Sequence, residues 1–407
     1  MGVPVSRANN PPRAGASSIP RWLAVVWLAC WIACGAATVQ WLRAIPLGQD
    51  VLIYQDAFAR ANAGGSPYLP IAIGGDGYTY HPAQLLLFGI LDPIGRGFSW
   101  LWFAESVAAW IASLWLAGKC LALGLGTSLP DPRWLWIAAA LTFGPLIETL
   151  YLGQIDTIVT FVMVLALWLL LKGSNVAAGA SLALAIVLKA SPVLLLLHFA
   201  ALRRWRALGS ALLGVGVLTV LPAVVYSPRL LSEYRQVVTA ISGVLPPLFY
   251  NQSPLSVVYR ILRLVLPQAS FVLRNASAPL AIGLSAVVLI PAFQRPPTRE
   301  FVMCSFVAIW LVALMASPLV WYHHHVFLIA AVGVALCSAD RRVRALAVAG
   351  ASCIQLQRAI ELTGGSRWLG ASAGEFAIAA AVAMCLWKST APDAQTRRLA
   401  WIAQRHG

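Results

Sequence analysis

From Trp22 to Leu42 the chain carries no charged side chain, and about 20 apolar residues are enough to cross the hydrocarbon core of a bilayer as a helix. Comparable runs recur along the sequence. They place approximate spans at 21–42, 97–118, 132–149, 153–171, 175–188, 190–202, 207–226, 278–294, 300–317, 325–338, 342–360 and 369–387. The pattern predicts an all-α polytopic membrane protein of about 12 transmembrane helices, forming one domain over 1–407 with tails at 1–20 and 388–407. Some runs fall below the ~17 residues that a crossing helix needs. The two that meet around Lys189–Pro192 predict a broken or re-entrant helix buried in protein. With 60% of residues hydrophobic and 11% charged, against ~45–50% and ~25% in soluble domains, an ordinary soluble enzyme is excluded.

The 29 Lys and Arg against 14 Asp and Glu leave a net charge of +15, but these charges punctuate apolar runs instead of gathering on one basic face. No nucleic-acid partner is expected. Arg21, Lys119, Arg133, Lys172, Arg203, Arg204, Arg206, Arg299, Arg341 and Lys388 fall on one side of the arrangement, which makes that side cytoplasmic and puts both termini there. The first apolar run outlasts a signal-peptide core and has no small-x-small cleavage site after it, so it reads as a retained helix. The seven cysteines show no metal or disulfide spacing and read as small core residues. There is no convincing internal repeat of the kind many secondary transporters carry.

The polarity is concentrated in exterior loops. The loop 43–96 is too long for a simple connection; helical spacing from Asp50 through Phe58 and an apolar stretch at 83–91 predict two helices lying at the membrane interface. A second loop, 227–277, holds Glu233, Arg235, Tyr250-Asn251-Gln252-Ser253, Arg260 and Arg263. A third, short one reads Ser317-Pro318-Leu-Val-Trp321-Tyr322-His323-His324-His325.

Lys189 lies in an apolar run, where a cation is costly and points to function; snorkelling to the interface is the plainer account. Three successive histidines can suggest a metal, but adjacent residues diverge by ~100° on a helix and the usual helical ligand spacing is i, i+4. Solvated histidines at a helix start are the ordinary alternative. Asp50 opens the segment 51–62 and suits either a helix N-cap or a general base. Asp56 is its rival, though Arg60 at i+4 offers an ion pair; Asp76, in Gly74-Gly-Asp-Gly77, looks like a turn acid. Glu105 and Glu148 read as interhelical hydrogen-bonding groups. Tyr54, Tyr78, Tyr80 and Trp321 could stack on sugar faces or form the interfacial aromatic belt.

Asp50-x-x-x-Tyr54, Gly65-Ser-Pro67-Tyr68 and Tyr80-His-Pro82 together resemble the first exterior loop of glycosyltransferase family 87, the polyprenyl-phosphate-mannose-dependent mannosyltransferases of the GT-C superfamily. Further stretches follow in order: Gly153-Gln154-Ile-Asp156, Ala178-Gly179 with Lys189-Ala-Ser-Pro192, Asn251-Gln252-Ser253, and Ser317-Pro318-x-x-Trp321-x-His323-His324. The resemblance spans about residues 45 to 330. It implies transfer of mannose or a related sugar, with inversion, from a polyprenyl phosphate to a hydroxyl of a glycolipid or envelope glycan outside the cytoplasm. It implies Asp50 as catalytic base, and favours His323 and His324 over His325. Positive charge for the departing phosphate would come from Lys189, His323, His324, Arg260 and Arg263, and contacts to sugar or acceptor from Tyr54, Tyr80, Asn251, Gln252 and Trp321. No Asp-x-Asp occurs, so neither a nucleotide donor nor an essential metal cofactor is expected. A lipid or small-molecule transporter is the leading alternative, since it too would use a buried lysine and broken helices; a binding-only scaffold is the third.

Overall fold

The computed structural model describes residues 21–68, 77–91, 95, 98–244, 251–266, 270–294, 297–317 and 319–390. Asp76, the side chain of Arg263 and most of both tails lie outside them. The described residues form helices and connecting turns, with no strand among them. In order these are α1 (Arg21–Leu42), α2 (Gln49–Asn62), α3 (Ala83–Leu91), α4 (Phe98–Leu125), α5 (Arg133–Leu141), α6 (Gly144–Leu152), α7 (Asp156–Leu171), α8 (Asn175–Leu188), α9 (Leu195–Ala201), α10 (Trp205–Val225), α11 (Arg229–Val244), α12 (Pro254–Val265), α13 (Ser270–Gln294), α14 (Arg299–Met315), α15 (Ile329–Leu336), α16 (Arg341–Leu362) and α17 (Leu369–Thr390), with 3₁₀ segments at Ser191–Leu194 and Tyr322–Leu328.

Among the described residues, six stretches are long and apolar enough to cross a membrane: Trp22–Leu42, Phe98–Leu125, Arg133–Leu152, Trp205–Val225, Ser277–Gln294 and Leu369–Thr390. The sequence suggests twelve spans, and the described residues supply six of crossing length. Asp156–Leu171, Asn175–Leu188, Ser191–Ala201 and Tyr322–Leu336 are apolar but shorter, and short helices are tolerated at membrane depth where protein encloses them. The helix α14 makes the contrast plain: every residue from Phe301 to Leu314 is buried, as expected of a helix that is apolar all round. The outer helix α10 instead leaves Leu213, Val217 and Val224 exposed. This is a membrane protein with α14 at its centre.

Close crossings hold the bundle. The helices α16 and α17 approach so nearly that a Cβ on Gly374 would come within 2.4 Å of the Gly350 carbonyl oxygen, the small-residue packing that association inside lipid favours. At the break between α5 and α6, Gln355 of α16 accepts from Gly144 N at 2.7 Å and donates to the carbonyls of Trp31 and Thr142 at 2.8 and 3.1 Å. One buried amide thus satisfies backbone groups that the break sets free. The starts of α14 and α16 and the end of α17 lie together, where Lys388 donates to Asp340 at 2.6 Å. The ends of α1, α6 and α8 meet at the opposite side, and with them the polar loops.

Candidate active site

The site is built around the turn between α6 and α7. Gly153, at φ 75°, closes α6 in the left-handed conformation that glycine adopts readily, and its carbonyl accepts from the Trp102 indole at 2.8 Å. A Cβ there would come within 2.2 Å of Val51 Cγ2, so only glycine lets α2 dock against the turn. Docking is reinforced by Gly48 N donating to the Tyr151 carbonyl at 2.8 Å and the Tyr151 hydroxyl donating to Ile45 O at 3.0 Å.

Asp50 lies in the first turn of α2, but the cap is Gly48 in the left-handed conformation, with no side-chain cap bond. The N-cap alternative is thereby corrected: the glycine absorbs the chain reversal, and the carboxylate is left for another partner. Gln154 donates from Nε2 to Asp50 Oδ2 at 2.5 Å. Its Oε1 accepts from the Tyr80 hydroxyl at 2.8 Å, with the Tyr54 hydroxyl 3.3 Å away. A carboxylate only accepts, which assigns the amide orientation. Tyr54 is wholly buried with its ring stacked on Phe88, centroids 5.0 Å apart. Its polar contribution to the site is its hydroxyl.

One residue beyond Ile155, Asp156 starts α7, fully buried and ion-paired through Oδ1 to Lys189. Lys189 stands where α8 ends in extended backbone, just before the 3₁₀ segment at Pro192, and its ammonium lies over the Phe327 ring. The expected break is therefore present, and Gln84 donates to the Leu188 carbonyl beside it at 2.6 Å. The lysine has a buried partner and does not snorkel.

The 3₁₀ segment Tyr322–Leu328 brings in the histidines. His323 Nδ1 is 3.3 Å from Glu148 Oε1 and its Nε2 is 4.0 Å from Asp156 Oδ2. His324 accepts from Trp321 N through Nδ1 at 3.2 Å, which puts its proton on Nε2 in the neutral ring. His325 turns away, its Nε2 2.8 Å from Glu375 Oε1. Behind His323, Glu148 accepts from Arg358 at 2.5 and 3.0 Å, and Arg358 reaches Glu361 at 2.6 Å while lying over the Trp41 and Tyr322 rings.

Asp50, Tyr54 and Tyr80 thus converge on Gln154, and Lys189, His323 and His324 on Asp156, one turn serving both groups. The Trp321 ring stacks parallel to His323 with centroids 6.5 Å apart. Asn251 and Gln252 hold the adjoining chain: Asn251 Oδ1 accepts from Val320 N at 3.0 Å, and Gln252 N donates to Val320 O at 2.8 Å. Arg260 donates to the Asn251 carbonyl at 2.8 Å and lies over Trp368, so it braces that segment. Asp56 pairs with Arg60 as the i, i+4 spacing suggests.

The family model for glycosyltransferase family 87 matches residues 78–318, more than half of the chain. The chain belongs to glycosyltransferase family 87. Neither curated proteins nor solved structures yield a match. The matched region of this membrane glycosyltransferase contains Tyr80, Gln154, Asp156, Lys189, Asn251 and Gln252; Asp50 stands before it and joins it through Gln154.

The roles of Gln154, Asp156 and Arg358 did not emerge from the sequence alone. A charge inside an apolar run was the available signal for Arg358, as it was for Lys189. Asp156, His323 and His324 each offer a polar atom within 4.8 Å of the others, a spacing one divalent cation could bridge. The surrounding chemistry fits a cation poorly, because Lys189 already holds Asp156 and His324 presents an N–H.

Proposed function

We propose that this glycosyltransferase moves mannose, or a related hexose or pentose, from a polyprenyl monophosphate to a hydroxyl of a glycolipid or envelope glycan, with inversion, on the exterior face of the cell membrane. The observation that carries the reading is the shared turn: a carboxylate held by Gln154 stands one residue's reach from a buried lysine and two histidines. Asp50 accepts the proton of the acceptor hydroxyl as its oxygen attacks the anomeric carbon, and the bond from that carbon to the phosphate oxygen breaks with its electron pair going to the phosphate. Lys189 has three ammonium donors, and the ion pair with Asp156 leaves it able to reach phosphate oxygens too. His323 and His324, each with a polar atom within 4.8 Å of Asp156, stand beside Lys189 as further contacts to the phosphosugar.

The basic end of the bundle supports a cytoplasmic assignment for the side opposite the site, with both termini on it. Arg260 and Arg263, on amphipathic α12, are suited to the phosphate end of the lipid. The reading requires neither a nucleotide sugar nor a metal.

Purified protein in liposomes, offered a panel of lipid-linked sugars and a glycolipid acceptor, tests the reading. Transfer from a polyprenyl phosphate sugar that survives chelator is the expected result. Transfer from a nucleotide sugar, or movement of lipid across the bilayer without a glycosylated product, would overturn it.

A further inference from the structure

Asp156 has two carboxylate oxygens with unequal surroundings. Oδ1 holds Lys189, while Oδ2, in a residue with no solvent exposure, has no hydrogen-bond partner among the described residues. A buried acceptor left unmatched costs free energy, so a native structure retains one where something supplies the donor. Protein groups around Oδ2 do not. His323 turns Nδ1 to the Glu148 carboxylate, which only accepts, so Nδ1 bears a proton; Nε2 lies 4.0 Å from Oδ2, beyond hydrogen-bond range in either protonation state. His324, the third corner of the triangle within 4.8 Å, carries its proton on Nε2 because Nδ1 accepts from the Trp321 backbone.

We propose that Asp156, with His323 and His324, forms the subsite that reads a hydroxyl of the transferred sugar, Asp156 Oδ2 accepting that hydroxyl's hydrogen bond. The inference rests on the glycosyl-transfer reading and deepens it. A hydroxyl donates one hydrogen bond and accepts two, and the triangle combines a carboxylate acceptor with an imidazole N–H donor. A phosphate diester has no hydrogen to give Oδ2, and a second anion beside that oxygen would be repelled. The sugar is the part of the donor with the matching chemistry. Its position also suits: Gln154, which holds Asp50, and Asp156 are separated by Ile155 alone, so the residue that holds the base and the reading carboxylate sit on one turn.

The other buried carboxylate with unmatched oxygens among the described residues is differently placed. Glu375 faces His325 at 2.8 Å with both residues sealed from solvent, whereas Asp156 borders Lys189, whose side chain keeps 15% exposure. Of the two, only the Asp156 group adjoins the residues that Asp50 reaches through Gln154.

The test compares donors. The parent polyprenyl-phosphate sugar and its single-deoxy analogues are assayed in liposomes for kcat/KM with the unaltered protein, with Asp156→Ala, and with Asp156→Leu/Lys189→Met, in which both charges of the buried pair are replaced together so that neither is stranded. Competition binding of the same donors reads the same ratios where turnover is too slow. The unaltered protein is expected to prefer the parent over one deoxy analogue by on the order of 10²-fold or more, because a site built to bind a hydroxyl rejects the analogue lacking it. That preference should shrink to within a few-fold in both variants; losses through Lys189 cancel in the ratio. A preference unchanged in the variants overturns the subsite while leaving glycosyl transfer standing. Transfer that chelator abolishes and a divalent cation restores would make the triangle a metal site and overturn it too. Absence of transfer from every lipid-linked parent sugar would remove both readings.

Discussion

Glu148 and Asp156 flank the same turn, both buried and both beside His323, yet their surroundings differ. Glu148 is closed off: Arg358 donates to it twice, His323 faces it, and Arg358 continues to Glu361 between two aromatic rings. Asp156 keeps an oxygen without a protein donor. The first region is a completed network, which rigidifies a fold and has nothing left for a ligand. The second is incomplete in the way a binding site must be before its substrate arrives. Burial alone therefore does not distinguish the two carboxylates; their hydrogen-bond partners do.

The sharpest break of the comparison is Arg358→Met, which takes both guanidinium donors from buried Glu148 and leaves Glu361 with Gln357. Thermal and denaturant unfolding in detergent should show a loss of about 3–5 kcal/mol, and a loss under about 1 kcal/mol would mean that the network does not brace the fold. Gly153→Ala acts on the turn between the two regions. Its methyl group meets Val51 at a backbone conformation that alanine resists, so Asp50 shifts and turnover falls on the order of 10²-fold, as misplacement by about 1 Å can cause. Adding Val51→Ala should recover part of that rate, and no recovery would locate the damage elsewhere. Gln154→Leu removes one charge-assisted hydrogen bond to Asp50. A fall in kcat on the order of 10-fold with donor KM unchanged is expected; an effect on KM alone would detach Gln154 from the base.

The smallest effect belongs to a satisfied group. His81 accepts from Ala83 N through Nδ1 and lies 3.2 Å from the Thr219 hydroxyl through Nε2, and burial pushes its imidazole down to about 4. Above pH ~6.5 the folded and unfolded states are both neutral at this site. As pH falls from ~6.5 towards 4 the unfolded chain takes up a proton that the folded one refuses, so stability drops, by about 1 kcal/mol between pH ~6.5 and ~5.5. Unfolding midpoints of the protein and His81→Gln across that range measure it, the difference narrowing at low pH in the expected case.

Local physics made much of this legible in the sequence. Apolar run length located α1, α4, α10 and α17, and the Lys189–Pro192 break followed from a cation and a proline inside an apolar stretch. Run length could not tell a lipid-facing helix from an enclosed one: α14 and α10 look alike in sequence and differ in which neighbours surround them. Nor does a pattern encode long-range partners. Gln154 meets Asp50 across 104 positions and Arg358 meets Glu148 across 210. The cap expectation at Asp50 shows the same limit, since aspartate is a good cap but the bond from Gly48 to Tyr151 sets where α2 begins.

The most direct test of the account is the rate of sugar transfer by Asp50→Asn beside Asp56→Asn, each reconstituted at equal folded amounts with its unfolding midpoint measured. Asp50→Asn keeps the side chain's size and its acceptor for Gln154, and should leave the midpoint and donor binding nearly unchanged while transfer falls on the order of 10²–10⁴-fold. Asp56→Asn removes only an exposed pair with Arg60 and should transfer at close to the normal rate. Near-normal turnover by Asp50→Asn would contradict the account and take the base away from the turn at Gln154.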